Sequence, residues 1–139
     1  MAATAWTYYD QFSNDLLNGT MDLNADTLKI ALCASTSNAA TLSTANYAAL
    51  TNELATANGY TNGGATVVGT ITANNFDVAD AEWTASGGSI TARFAVLYNS
   101  TTGGLIGYSL LDDTPADVTA TDGNTFTIAI NASGVLDIT

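Results

Sequence analysis

The fold of this chain is decided by residues 89–110, which read SITARFAVLYNSTTGGLIGYSL. Within the first half of this stretch every second residue is apolar, a period of two that is typical of a strand with one buried face. Residues 99–104 combine Asn, Ser, Thr and two Gly, which are residue types that favour turns. The stretch therefore predicts two strands, 89–98 and 104–110, that pair as an antiparallel hairpin.

Strands of the same kind are expected along most of the chain. Leu28, Ile30 and Leu32 share one face of an expected strand that begins after Asp26. Many short strands separated by Gly, Asn and Asp predict a mainly β fold, either a β-sandwich or a jelly-roll-like barrel. The further expected strands cover residues 65–72, 76–84, 124–131 and 134–139, and the last two are expected to pair as a hairpin.

Two segments show helical rather than strand periodicity. In residues 5–18 the large apolar side chains recur at helical spacing, which predicts an amphipathic N-terminal helix. Residues 44–54 repeat this pattern more briefly, with Thr44 suited to the N-cap position, and predict one further short helix. We expect a single β-rich structural domain over residues 1–139, with residues 1–18 as a helical arm.

The charge of the chain argues against two classes of partner. The 139 residues include 13 acidic and two basic residues, which gives a formal net charge of −11. This charge repels the phosphates of nucleic acids and anionic lipid headgroups, so we expect no nucleic acid and no membrane as partner. The N-terminal residues hold no basic residue and no long apolar run, so we expect no signal peptide and synthesis in the cytoplasm.

The residue types that most enzymes need are missing or scarce. The chain has no histidine and one cysteine, Cys33, which excludes Ser-His-Asp and Cys-His nucleophilic sites and zinc sites built from these residues. Glu53 and Glu82 are the only glutamates, and their pairing as facing carboxylates is the arrangement left for acid–base chemistry. We expect them to be structural, and we expect no enzymatic activity and no cofactor.

An acidic segment is the only candidate for a metal site. Asp112, Asp113, Asp117 and Asp122 lie close together in the sequence and could hold Ca²⁺ through oxygen ligands. Their spacing does not match an EF-hand loop. We expect a solvated acidic loop, and Ca²⁺ binding by residues 112–122 stays an open alternative.

Lys29 and Arg93 are the only two cations, and both fall within expected strands. A long charged side chain in a sheet must reach water or an acidic partner, across the sheet or at an interface. We therefore expect ion pairs that stabilise the framework, with Glu53 or Glu82 as the partner of Arg93.

Tyr8 and Tyr9 are neighbours on the expected N-terminal helix. One helix cannot bury two adjacent side chains equally well, because they point in directions about 100° apart. We therefore expect one of the two tyrosines to contact a partner subunit.

A set of segments, in order along the chain, carries a resemblance to a known family. They are residues 26–32 (DTLKIAL), 50–54 (LTNEL), 58–64 (NGYTNGG), 92–99 (ARFAVLYN), 105–108 (LIGY) and 126–128 (FTI). Together they resemble a family of small structural proteins of tailed bacteriophages, which are of the head decoration or cement type.

The resemblance implies a virion component without enzymatic activity. Its expected partner is the major capsid protein or another virion protein, and it is expected to form a homo-oligomer, with a trimer favoured. The family has no catalytic motif, so no site residue is carried over. Two alternatives stay open: a collar, tail or fibre-anchoring protein of the same virion, or a carbohydrate-binding module that stacks sugar rings on Trp6, Trp83 and tyrosines.

Overall fold

The structure is a computed structural model that describes residues 3–138. Strands dominate it, so the predicted mainly β fold class is confirmed. No helix within the described residues is long and apolar enough to cross a membrane. The elements are β1 (Thr7–Tyr8), α1 (Asp10–Leu17), β2 (Leu28–Cys33), a 3-10 helix (Tyr47–Ala49), β3 (Ala65–Val67), β4 (Gly69–Thr72), β5 (Asn75–Val78), β6 (Ala81–Thr84), β7 (Ile90–Ala92), β8 (Phe94–Asn99), β9 (Leu105–Leu110), β10 (Val118–Ala120), β11 (Thr125–Ile128) and β12 (Leu136–Asp137).

The largest sheet has five antiparallel strands in the order β1-β9-β8-β2-β3. The predicted hairpin over residues 89–110 is confirmed as the pair β8 and β9, with a register shift between Leu97 and Tyr98. On its other side β8 pairs with β2 along its whole length, from Leu28 opposite Asn99 to Cys33 opposite Phe94. These two long pairings form the framework on which the shorter strands are arranged.

Three smaller antiparallel sheets pack against one face of this sheet. They have the orders β12-β5-β4, β11-β6 and β10-β7. The main core lies between the two layers, where Ile30 and Leu97 of the large sheet join Phe76, Trp83 and Phe126 of the smaller sheets. Burying each such side chain contributes roughly 1.5–3 kcal/mol, so the layers are held face to face as in a sandwich.

The other face of the large sheet is also buried. Ala31, Val96 and Leu105 point to this side and pack with Tyr9 and Ala39 in a second hydrophobic cluster. The polypeptide between β2 and β3 supplies the cover. Because β8 is buried on both faces, its sequence FAVLYN is apolar at nearly every position and not only at alternate ones.

Several predicted strands are interrupted where the chain passes from one sheet to another. Residues 65–72 break at Val68, residues 76–84 break before Ala81, and residues 89–98 break at Arg93. At the last break the Arg93 N–H donates to the Cys33 carbonyl, and the Arg93 carbonyl accepts from the Leu111 N–H. Arg93 thus stays tied to its neighbours while the chain changes sheets.

The predicted C-terminal hairpin is wrong. β11 pairs with β6, with Phe126 opposite Trp83, and β12 pairs with β5, with Leu136 opposite Phe76. Residue 139 of the predicted last strand lies outside the described residues. These pairings place both strands beside residues of the main core, Phe76 and Trp83.

The two helices are shorter than predicted. The helix expected over residues 5–18 begins only at Asp10, because the polypeptide before it runs along β9, with the Thr4 N–H bonded to the Leu110 carbonyl. In the arm predicted over residues 1–18, residues 1 and 2 lie outside the described residues, and the rest is docked on the sheet. The helix predicted over residues 44–54 is a single 3-10 turn capped by Asn46 and not by Thr44.

Candidate functional site

Glu53 lies at the centre of a hydrogen-bonded cluster beside the end of β2. Its Oε1 accepts from the Tyr60 hydroxyl at 2.6 Å and from the Gly63 N–H at 2.6 Å, and its Oε2 accepts from the Tyr47 hydroxyl. The backbone of Glu53 bridges to Cys33 at the end of β2. The carboxylate is therefore supplied with donors from three parts of the covering segment and needs no cation.

The tyrosines of this cluster tie the covering segment to the sheet. The Tyr60 hydroxyl also accepts from the Leu32 N–H at 3.0 Å, and the Tyr98 hydroxyl donates to the Gly63 carbonyl at 2.6 Å. The rings of Tyr47 and Tyr98 stack with their centroids 4.3 Å apart. Through these contacts the cluster holds the covering segment to strands β2 and β8.

Burial raises the pKa values of the tyrosine hydroxyls and of the Cys33 thiol in this region, which keeps these groups protonated at neutral pH. It raises the pKa of Tyr98 to about 12, with a smaller contribution from the Glu53 charge. Burial likewise raises the pKa of the Cys33 thiol to about 12, and it is the main reason why the pKa of Tyr60 lies above its ordinary value. The hydroxyls thus remain hydrogen-bond donors, and Cys33 is a small buried apolar residue with no thiolate at neutral pH.

Arg93 forms an ion pair, but the partner predicted for it is wrong. Its Nε lies 2.7 Å from Oδ1 of Asp117, whereas Glu53 belongs to the tyrosine cluster and Glu82 is exposed on β6 opposite Thr127. The reason is the register between β7 and β10, which places Ala92 opposite Val118 and so brings the residues next to them together.

Lys29 has no acidic partner within residues 3–138, where the pair of Arg93 and Asp117 is the only ion pair. It lies in β2 between Thr66 of β3 and Tyr98 of β8 and is partly exposed. The predicted framework ion pair of Lys29 is therefore not formed within the described chain.

Three acidic residues of the segment 112–122 each bond to a different partner. Asp112 accepts from the N–H and the hydroxyl of Thr114, and these hydrogen bonds hold the pKa of its carboxyl below the usual range. Asp122 accepts from the Gly87 N–H at 2.9 Å, and Asp117 pairs with Arg93. No group of three potential metal ligands comes together within the described residues.

Tyr8 and Tyr9 have opposite environments. Tyr9 is 2 % exposed, and its hydroxyl donates to the Ala39 carbonyl beneath the covering segment. Tyr8 is 37 % exposed, and its hydroxyl donates to the Val135 carbonyl at 2.5 Å. Of the two tyrosines, Tyr8 is therefore the one whose side chain is exposed enough to contact a partner protein.

Tyr8 stands between two open grooves. The larger one, of about 840 Å³, lies between residues 3–8 and the C-terminal stretch 126–135, and Trp6 lines it. The smaller one, of about 440 Å³, lies between α1 and the end of the chain, where Ile138 is 64 % exposed. Sequence reasoning picked out Tyr8 but missed Ile138, because nothing near the C-terminus indicates that it returns to the N-terminal strand.

The two tryptophans also differ. Trp83 is 7 % exposed and packs in the main core, with its ring centroid 5.5 Å from that of Tyr60. Trp6 is partly buried at the edge of the larger groove. Of the two tryptophans considered for stacking on sugars, only Trp6 borders one of the two grooves.

Comparisons of the chain with protein-family models, with curated proteins and with solved structures found no match.

Proposed function

We propose that the protein is a structural subunit of a bacteriophage particle that acts by binding other virion proteins, and that it is a decoration protein on the capsid. The observation that carries this proposal is how the segments that resemble the phage family lie in space. Residues 26–32, 92–99 and 105–108 are neighbouring strands of the large sheet. Residues 50–64 are joined to that sheet by the backbone bridge of Glu53 to Cys33 and by the hydroxyl of Tyr60, which accepts from the Leu32 N–H.

Five of the six segments thus belong to the large sheet and the segment that covers it, and the sixth, residues 126–128, lies in β11 of the smaller sheets. A sheet buried on both faces and held by a hydrogen-bonded cluster is stiff, as a repeated contact with a shell requires. The net charge of −11 on the chain favours a partner with a basic docking surface. The proposed location is the virion, and the proposed partner is the major capsid protein.

A carbohydrate-binding module is a second candidate, because Trp6 and Tyr8 line the same open groove. Aromatic side chains in open grooves can stack on sugar rings. Binding of an oligosaccharide on a glycan array, lost when Trp6→Ala is introduced, would favour this candidate. Silence on the array would remove it.

Copy number in purified particles tests the proposal. Quantitative mass spectrometry would compare this protein with the major capsid protein as an internal standard. On the order of hundreds of copies supports decoration of the capsid, since capsid symmetry repeats each surface site many times. About a dozen copies or fewer would move the protein to the collar, tail or fibre attachment, and absence from particles would overturn the virion role.

The oligomeric state is tested separately. The resemblance favours a trimer, and the molecular mass of the full chain in solution, measured by light scattering, would be three times the chain mass. A monomer at all concentrations would show that any trimer forms only on the particle.

A further inference from the structure

The outer edge of β1 is an unpaired strand edge. The Thr7 backbone faces Tyr108 of β9, and the Tyr9 N–H donates to the Ile106 carbonyl at 3.1 Å. Because backbone groups of a strand point alternately to either side, those of Trp6 and Tyr8 face away from β9. Within residues 3–138, no strand pairs with β1 on that side.

Trp6 and Tyr8, whose backbone groups face away from β9, also line the larger groove, which has apolar walls. Phe126, Ile128 and Val135 face Trp6 across the larger groove, which has room for several residues of an extended strand. Tyr8 lines both grooves, so the apolar surface continues past its ring to Leu136 and Ile138. In a strand placed against β1, every second side chain would point towards the grooves.

The charge at the smaller groove is negative. Asp10 is the one charged residue among those that line it, and the whole chain carries a net charge of −11. Neither groove is lined by a lysine or an arginine. The complementary occupant therefore carries positive charge next to apolar residues.

A second copy of this chain cannot supply such a strand. Its only two cations are Lys29 and Arg93. Lys29 lies in β2, whose two edges are already paired with β3 and β8, and Arg93 is bound to Asp117. The occupant is thus a different protein.

We propose that the β1 edge and its two grooves form a docking site for an extended segment of another protein in which apolar and basic residues alternate. The segment adds a strand next to β1 by backbone hydrogen bonds to Trp6 and Tyr8, and its apolar side chains enter the grooves. Its basic side chains lie near Asp10. The inference rests on the proposed role of the protein in binding other virion proteins and names the kind of segment that it binds.

A peptide titration tests the docking site. The probe is a blocked octapeptide of four Val-Lys repeats, added to the full-length ¹⁵N-labelled chain, and its control is the octapeptide of four Val-Glu repeats. We expect NMR shifts at the amides of residues 4–10 and 126–138, and slower hydrogen exchange at the Trp6 and Tyr8 amides, with the basic peptide only. No shifts, shifts elsewhere, or equal binding of both peptides would overturn the proposal.

Matched variants locate the contact without disturbing the fold. Ile138→Lys places a positive charge in the smaller groove and should weaken binding of the basic peptide about tenfold or more, whereas Val68→Lys should change it less than about twofold. Both side chains are largely exposed, at 64 % and 71 %. Equal effects of the two substitutions would contradict the proposed site.

The charge contact has its own matched pair. Asp10→Asn should weaken the basic peptide about two- to fivefold at low salt, and Glu82→Gln, an exposed acid on β6, should leave it unchanged. Equal loss in both variants would show attraction by net charge alone. The peptide result is independent of copy number, so failure of the docking site and failure of the virion role are distinguishable.

Discussion

Glu53 is the residue whose role differs most from its interpretation in the sequence. As one of two glutamates in a chain with two cations, it is one of the two partners that the sequence suggests for Arg93, the other being Glu82. It instead accepts hydrogen bonds from Tyr47, Tyr60 and Gly63, all on the segment that covers the large sheet. Hydrogen bonds to a carboxylate are stronger than those between neutral groups. Glu53 therefore contributes strongly to holding the covering segment in place.

Replacing Glu53 tests how much these hydrogen bonds stabilise the fold. Glu53→Gln removes the charge and replaces one accepting oxygen by an NH₂ group, which cannot accept the hydrogen bond that this oxygen received. The free energy of unfolding should therefore fall by about 1–3 kcal/mol. Urea unfolding followed by tyrosine and tryptophan fluorescence measures the change. Glu82→Gln is the matched control and should stay within about 0.5 kcal/mol, because Glu82 is exposed. Equal stability of the two variants would contradict the structural role.

At the level of elements, the N-terminal segment is a strand followed by a helix. The helical spacing read from Tyr9, Phe12 and Leu16 is real, since α1 and the residue before it bury Tyr9 and Phe12. Trp6 fits the same spacing by coincidence, and it lies instead next to β1. Hydrogen bonds offered by the free edge of β9 outweigh the local preference for helix.

Removing this segment should harm folding. A chain without residues 1–18 loses β1, exposes the edge of β9 and removes Tyr9 and Phe12 from their clusters, at about 3–5 kcal/mol for each large aromatic side chain. We expect a large drop in the thermal midpoint, measured by circular dichroism. Leu17→Ser, on the same helix but 87 % exposed, should leave it nearly unchanged. A truncated chain as stable as the full one would show that the segment is a dispensable arm.

For the molecule as a whole, hydrogen bonds and not ion pairs join the covering segment to the large sheet. Arg93 and Asp117 form the only ion pair within residues 3–138, and both side chains are partly exposed. An exposed pair of this kind contributes at most about 1 kcal/mol. Buried tyrosine hydroxyls bonded to carbonyls and to Glu53 hold the covering segment instead, so stability depends on their protonation.

Alkaline pH should therefore destabilise the protein. In the folded chain the pKa of Tyr98 rises from 10.0 to about 12 and that of Cys33 from 9.0 to about 12. The unfolded chain releases these protons first, so stability is complete below the unfolded values and is lost as pH rises towards the folded values. Urea midpoints between about pH 8 and pH 11 should fall, and less steeply in Tyr98→Phe. A flat profile would contradict the burial of these groups.

The sequence by itself determined the features that depend on short-range order. The alternation of apolar residues and the glycine-rich turn after Asn99 predicted the central hairpin and, separately, the strand β2, because period and turn chemistry act over a few residues. The missing histidine excluded whole classes of catalytic site, since no fold can create a side chain that the chain lacks.

Only the tertiary structure decided which distant segments meet. The pairing of β11 with β6, the contact of Arg93 with Asp117, the convergence of three donors on Glu53 and the groove beside Tyr8 all join residues that are far apart or locally unremarkable in sequence. Each depends on which strand edge or buried polar group is still unsatisfied after the central sheet forms. That is a property of the assembled layers, and no local pattern encodes it.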